Sequence, residues 1–97
     1  MNRRVIFRPE AAAETLETRD WYEGRRHGLG ADFRAALDDT VERIARNPMQ
    51  FRRVRRDTRR AILDRFPYAV YFRIAEDAVV VLAVHGRQRP RRWQSRR

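Results

Sequence analysis

RAILDRFPYAVYFRIAEDAVVVLAVH, residues 60–85, is the stretch whose reading decides the fold. Successive side chains of a strand point to opposite faces. Between Tyr68 and Ile74, the residues Tyr68, Val70, Phe72 and Ile74 therefore share one face, and Ala69, Tyr71 and Arg73 share the other. The first set is wholly apolar and is expected to face a core; the second is mixed and can stay wet. Arg60 to Arg65 reads as the preceding strand, joined through Phe66-Pro67, and Glu76-Asp77 supplies the next turn. Val79 to His85 is apolar on both sides, as expected of a strand central in its sheet. On that alternation His85 shares a side with Ala83, and Leu82 and Val84 point to the core.

Outward from the sheet, the period changes to that of helices. Phe33, Leu37, Val41 and Ile44 recur at steps of four, four and three, with Asp32 in the first turn and Asn47-Pro48 as a stop. An earlier helix runs from Pro9 to about Arg26. Pro9 suits its first turn, Glu10 and Glu14 lie where the helix dipole favours negative charge, and Ala12, Leu16, Trp21 and Tyr22 mark its apolar side. Gly28-Leu29-Gly30 separates the two helices, so they are expected to form an antiparallel hairpin. Val5-Ile6-Phe7 reads as a short strand ahead of them. The expected fold class is α+β: an N-terminal strand, then an antiparallel helical hairpin packed on one face of a three- to four-stranded, mostly antiparallel sheet. Residues 1–97 form one expected domain, with 86–97 a basic tail.

All the net charge lies in one half. Residues 1–50 hold nine arginines and nine acids, whereas residues 51–97 hold 14 arginines against four acids, leaving +10. Every basic residue is arginine, which fits a codon preference and has one chemical consequence: a guanidinium neutralises phosphate or carboxylate but cannot abstract a proton. The absence of cysteine excludes a disulfide framework and a thiolate zinc site, and two histidines are too few for a histidine-based one. No metal or cofactor is expected. The longest apolar run, Ala78 to Val84, is far short of the ~20 residues that span a bilayer, and the expected compartment is the cytosol.

Several segments together resemble one family. Trp21-Tyr22-Glu23, Gly28-Leu29-Gly30 with Phe33, Asn47-Pro48, Arg59-Arg60 leading to Arg65-Phe66-Pro67-Tyr68-Ala69-Val70-Tyr71, and His85-Gly86-Arg87 with Pro90 and Trp93 are similar in order and spacing to the RelE/ParE superfamily of type II toxin–antitoxin toxins. The likeness covers nearly the whole chain. It implies a small αβ toxin neutralised by a cognate acidic antitoxin, with two branches of mechanism. RelE-type members cleave ribosome-bound mRNA, whereas ParE-type members inhibit DNA gyrase.

The nuclease branch implies basic residues at alternate positions of the strand before Tyr68, an arginine directly after that tyrosine, an arginine beyond the last strand and often a tyrosine six residues later. Attack by a ribose 2′-hydroxyl needs such convergent cations and a proton-transfer group. On this chain those positions carry Arg60, Ile62, Ala69, Arg87 and Trp93. Two cations survive and the centre is apolar, which points to the ParE branch. Under the nuclease alternative the catalytic candidates are Arg60, Arg87 and His85. Under the preferred reading, Arg60, Tyr71, Arg73, Arg87, Arg89 and Trp93 are the expected partner- or target-binding residues.

Each candidate also has a structural reading. A lone histidine at a strand end usually hydrogen-bonds a nearby loop, and Trp93 gains most by burying its indole. Trp21 and Tyr22 read as helix-packing residues. The six tail arginines between Arg87 and Arg97, and the cluster from Arg52 to Arg60, are either solvated basic surface or a strip that attracts an acidic antitoxin segment to an open sheet edge.

Overall fold

The computed structural model describes residues 2–86. β1 (Arg4–Phe7) leads into α1 (Pro9–Arg25) and α2 (Leu29–Arg46). A single 3-10 turn (Pro48–Gln50) then precedes β2 (Arg53–Arg55), β3 (Thr58–Ile62), β4 (Tyr68–Ala75) and β5 (Ala78–Gly86). The sheet order is β1-β5-β4-β3-β2, with β1 parallel to β5 and every other pairing antiparallel. The expected architecture holds with one strand more than expected. β2 escapes the alternation rule because it is three residues long and two of them are arginine. β3 ends at Ile62, short of Arg65, and Gly86 closes β5 instead of opening the tail.

The helical hairpin covers one sheet face. Phe33, Leu37 and Ile44 of α2 join Val70 and Phe72 of β4 and Val79, Val81 and Val84 of β5 in the main core. Tyr22, Phe33, Phe66 and Tyr68 form an aromatic knot where the hairpin turn meets the β3–β4 connection, with Tyr22 stacked on Phe33 at 5.6 Å and edge-on to Phe66 at 4.9 Å. Aromatic pairs of this kind contribute ~0.5–1.5 kcal/mol each beyond the area they bury.

Helix α1 corrects the expected phase. Its buried residues are Ala11, Glu14, Thr15 and Thr18, while Leu16 lines a cleft of about 450 Å3 between the helices and β1 and Trp21 is 55% exposed, with the Arg25 guanidinium 5.0 Å from its ring. Two of these buried polar residues are held by hydrogen bonds: the Thr15 hydroxyl donates to the Ala11 carbonyl at 3.0 Å, and Glu14 Oε1 accepts the Val84 N–H at 3.0 Å. A hydrophobicity pattern cannot reveal a face built this way.

β5 carries a second correction. The pairing slips between Tyr71 and Phe72, so that Tyr71 is opposite Ala83 but Phe72 is opposite Val81. Leu82 is the extra residue, and it joins Ala69, Tyr71, Val80 and Ala83 on the face away from the helices, where core placement was expected. Val84 packs with the helices as expected.

Candidate functional site

Strand register gathers four of the predicted residues on the sheet face away from the hairpin. Arg60, Tyr71 and Ala83 lie in one row across β3, β4 and β5; Ile62, Ala69 and His85 form the next; Thr58, Arg73 and Val80 form a third. The shared face was legible from alternation. Its character was not: Tyr71 is 1% and His85 3% exposed, Arg60 and Arg73 are half-buried, and the face carries a second apolar cluster that Val54 of β2 completes. An open face presenting tyrosine and histidine is therefore corrected to a largely buried one with arginine at its borders.

The Tyr71 ring lies stacked on His85, centroids 4.9 Å apart and planes 26° from parallel. His85 Nδ1 is 3.0 Å from the Gly86 carbonyl. A carbonyl only accepts, so this contact places the proton on Nδ1. The ring is thus fixed by stacking on Tyr71 and by the Gly86 carbonyl. Ala69, beside His85, is fully buried. The row in which a nuclease would set cations therefore carries a methyl group at Ala69 and a butyl group at Ile62. Arg87, Arg89 and Trp93 lie outside the described residues.

Charge is distributed unevenly among the described arginines. On α2, acids one turn away pair with Arg34 (Asp38, 3.0 Å), Arg43 (Asp39, 3.6 Å) and Arg46 (Glu42, 3.0 Å). On the β2–β3 hairpin, Arg52, Arg53, Arg55, Arg56, Arg59 and Arg60 crowd into nine residues, and among the described residues no ion pair holds Arg52, Arg53, Arg56 or Arg60. Arg59 is tethered differently: its Nη1 donates to the Phe51 carbonyl at 2.7 Å and its Nη2 lies 3.7 Å from Met49 Sδ. Arg3, Met49, Arg53, Asp57, Arg59 and Ile74 line a notch of about 340 Å3 there. The Arg52 to Arg60 cluster is legible in the sequence, but Arg3 and the apolar floor are not, because the chain brings them in from just ahead of β1, from β4 and from the 3-10 turn. Among the described residues no cluster of histidine, cysteine or carboxylate side chains could hold a metal, and no helix is long and apolar enough to cross a membrane.

Residues 5–90 match the family described as the ParE toxin of type II toxin-antitoxin system, parDE. The fold is similar to that in the chromosomal ParDE toxin–antitoxin system from P. aeruginosa, with TM-score 0.76 at 16% identity over 87% of this chain and 95% of that one. It is also similar to the RelBE2 toxin–antitoxin complex from Mycobacterium tuberculosis, with TM-score 0.64 at 20% identity over 90% of this chain and 100% of that one. No curated protein matches by sequence.

Proposed function

Because the chain belongs to the ParE toxin family of type II toxin–antitoxin systems, we propose that it inhibits DNA gyrase by protein contact and is neutralised by a cognate acidic antitoxin. The observation that carries the choice of mechanism is the row Ile62–Ala69–His85. Cleavage through a 2′-hydroxyl builds negative charge on the phosphorane, and the loss of one donor aimed at such charge typically lowers the rate by about a hundred- to a thousandfold. Two of the positions that would supply cations are hydrocarbon, and the neighbouring imidazole is buried under Tyr71. Binding a protein target makes no such demand. Arg60 and Arg73 at the borders of this face, and Arg87, Arg89 and Trp93 beyond the described residues, are the proposed contact positions, whereas Tyr71, 1% exposed, is proposed to support the face from within.

The antitoxin half of the reading is supported by the +10 charge and by the similar solved structures, which are themselves toxin–antitoxin assemblies. A guanidinium-rich surface steers an acidic partner and pairs with its carboxylates in a bidentate manner.

A ribosome-dependent mRNA endonuclease is the second reading, favoured by one observation: Arg60 and His85 share a face in adjacent rows. The two readings separate cleanly in one experiment. The chain is induced in cells, growth is followed, and the 5′ ends of ribosome-bound messages are mapped beside a plasmid-topology gel. Gyrase inhibition predicts growth arrest with altered supercoiling and no new message ends. New codon-positioned ends that vanish with Arg87→Ala would establish the nuclease instead.

A further inference from the structure

The notch at the β2–β3 hairpin breaks a local rule. Arg53 lies directly opposite Arg59 in the antiparallel pair, and like charges in that position repel. Arg3 adds a third guanidinium, and Asp57 is the one carboxylate in the lining, so the notch carries a surplus of two positive charges. Edge arginines are often explained as a device that keeps a sheet edge from pairing with other chains. That explains Arg53, but not Arg3. Arg3 precedes β1, at the opposite edge of the sheet, and is fixed there by its N–H donating to the Ala45 carbonyl at 2.9 Å. Arginines thus line one hollow from both sheet edges, Arg3 and Arg53, and from β3 between them, Arg59, and sequences that break local consistency in this way tend to do so where they bind something.

The lining also indicates what binds. Met49, 61% exposed, and Ile74 give the notch an apolar floor, and no aromatic ring lines it on which a nucleobase could stack. A thioether beside arginines suits an aliphatic side chain flanked by carboxylates. Arg59 is held in place by the Phe51 carbonyl, which lowers the ordering cost of binding.

We propose that this notch docks an acidic, extended segment of the antitoxin, with one apolar side chain on Met49 and Ile74 and carboxylates paired to Arg3, Arg53 and Arg59. The proposal rests on the antitoxin reading above and assigns it a place. The test is calorimetric titration of the full chain with the full-length antitoxin encoded beside it, in parallel with a 20-base-pair DNA duplex. Arg53→Glu is expected to weaken antitoxin binding about tenfold or more at low salt, with the gap narrowing as salt rises. Met49→Asp, which leaves every guanidinium in place, is expected to weaken it as well. Arg26→Glu, the same charge change at the helical turn, is expected to stay within about twofold of the parent. Wild-type affinity in both Arg53→Glu and Met49→Asp overturns the site and leaves the antitoxin reading standing. Duplex binding that responds to Arg53→Glu while antitoxin binding does not makes the notch a nucleic-acid site and likewise overturns the proposal. No binding of the antitoxin by the parent chain overturns both.

Discussion

Glu23 holds the helical hairpin together at its turn. Its carboxylate accepts the Gly28 N–H at 3.1 Å and the Gly30 N–H at 3.0 Å, and His27 Nδ1 lies 3.1 Å away. The N-terminal amides of α2 have no partner inside the helix, and here a glutamate from the previous helix serves as their cap. The Gly28 and Gly30 bonds, with the His27 charge, hold the carboxyl below its ordinary value of 4.5. A carboxyl whose folded value is depressed contributes stability that is present above its unfolded value and is lost as pH falls through the folded one. Glu23→Gln is therefore expected to lower the melting temperature at neutral pH, and the deficit relative to the parent is expected to shrink as pH drops below 4.5. A deficit that stays constant with pH would contradict this. Gly30 is constrained by the same contact. A Cβ there would sit 2.8 Å from the Arg19 carbonyl oxygen and 2.9 Å from Glu23 Oε1, and backbone cannot yield cheaply. Gly30→Ala is expected to cost about 1–3 kcal/mol in denaturant unfolding, whereas Gly24→Ala, with open space around it, is expected to gain from helix propensity.

At the scale of elements, the hairpin turns carry residues that glycine would suit better. Glu76, between the paired residues Ala75 and Ala78, has φ +54°, and Arg56, between Arg55 and Thr58, has φ +48°. A left-handed backbone costs a non-glycine residue roughly 1–2 kcal/mol, partly offset by the larger entropy that glycine loses on folding. Glu76→Gly is expected to raise stability by about 0.5 kcal/mol, and Glu76→Val to lower it by about 1 kcal/mol or more, both read from unfolding midpoints. The elements differ in how openly the sequence declares them. α2 and β4 bury large side chains at clean periods, so Phe33, Leu37, Ile44, Val70 and Phe72 were readable in advance. α1 buries threonines, one bonded within the helix, and a glutamate whose hydrogen bond to Val84 exists only once the sheet is in place, and the one-residue slip at Leu82 moves a side chain across the sheet with no local mark in the sequence. β2 is too short to show a period at all.

On the scale of the whole molecule, the separation of charge and core follows the order of the chain. The first half balances its arginines with acids, most regularly along α2, and closes the main core, and the second half supplies four of the five strands and the charge surplus. The candidate site divides along the same line between local and assembled information. Alternation placed Arg60, Tyr71, Arg73 and His85 on one face, but it did not show the burial of Tyr71 and His85 or the second apolar cluster that includes Leu82 and Val54, and the notch exists only because Arg3 and Met49 arrive from elsewhere. The resulting molecule has an apolar, sterically fixed centre at the point where RNA chemistry would need charge, and a cationic border suited to protein partners. The activity proposed for it is inhibition of DNA gyrase by contact. The direct measurement is supercoiling of a relaxed plasmid by purified gyrase and ATP in the presence of increasing amounts of the purified chain. A dose-dependent loss of supercoiled product that added antitoxin restores is the expected result. Full supercoiling at a large molar excess of correctly folded chain would contradict it.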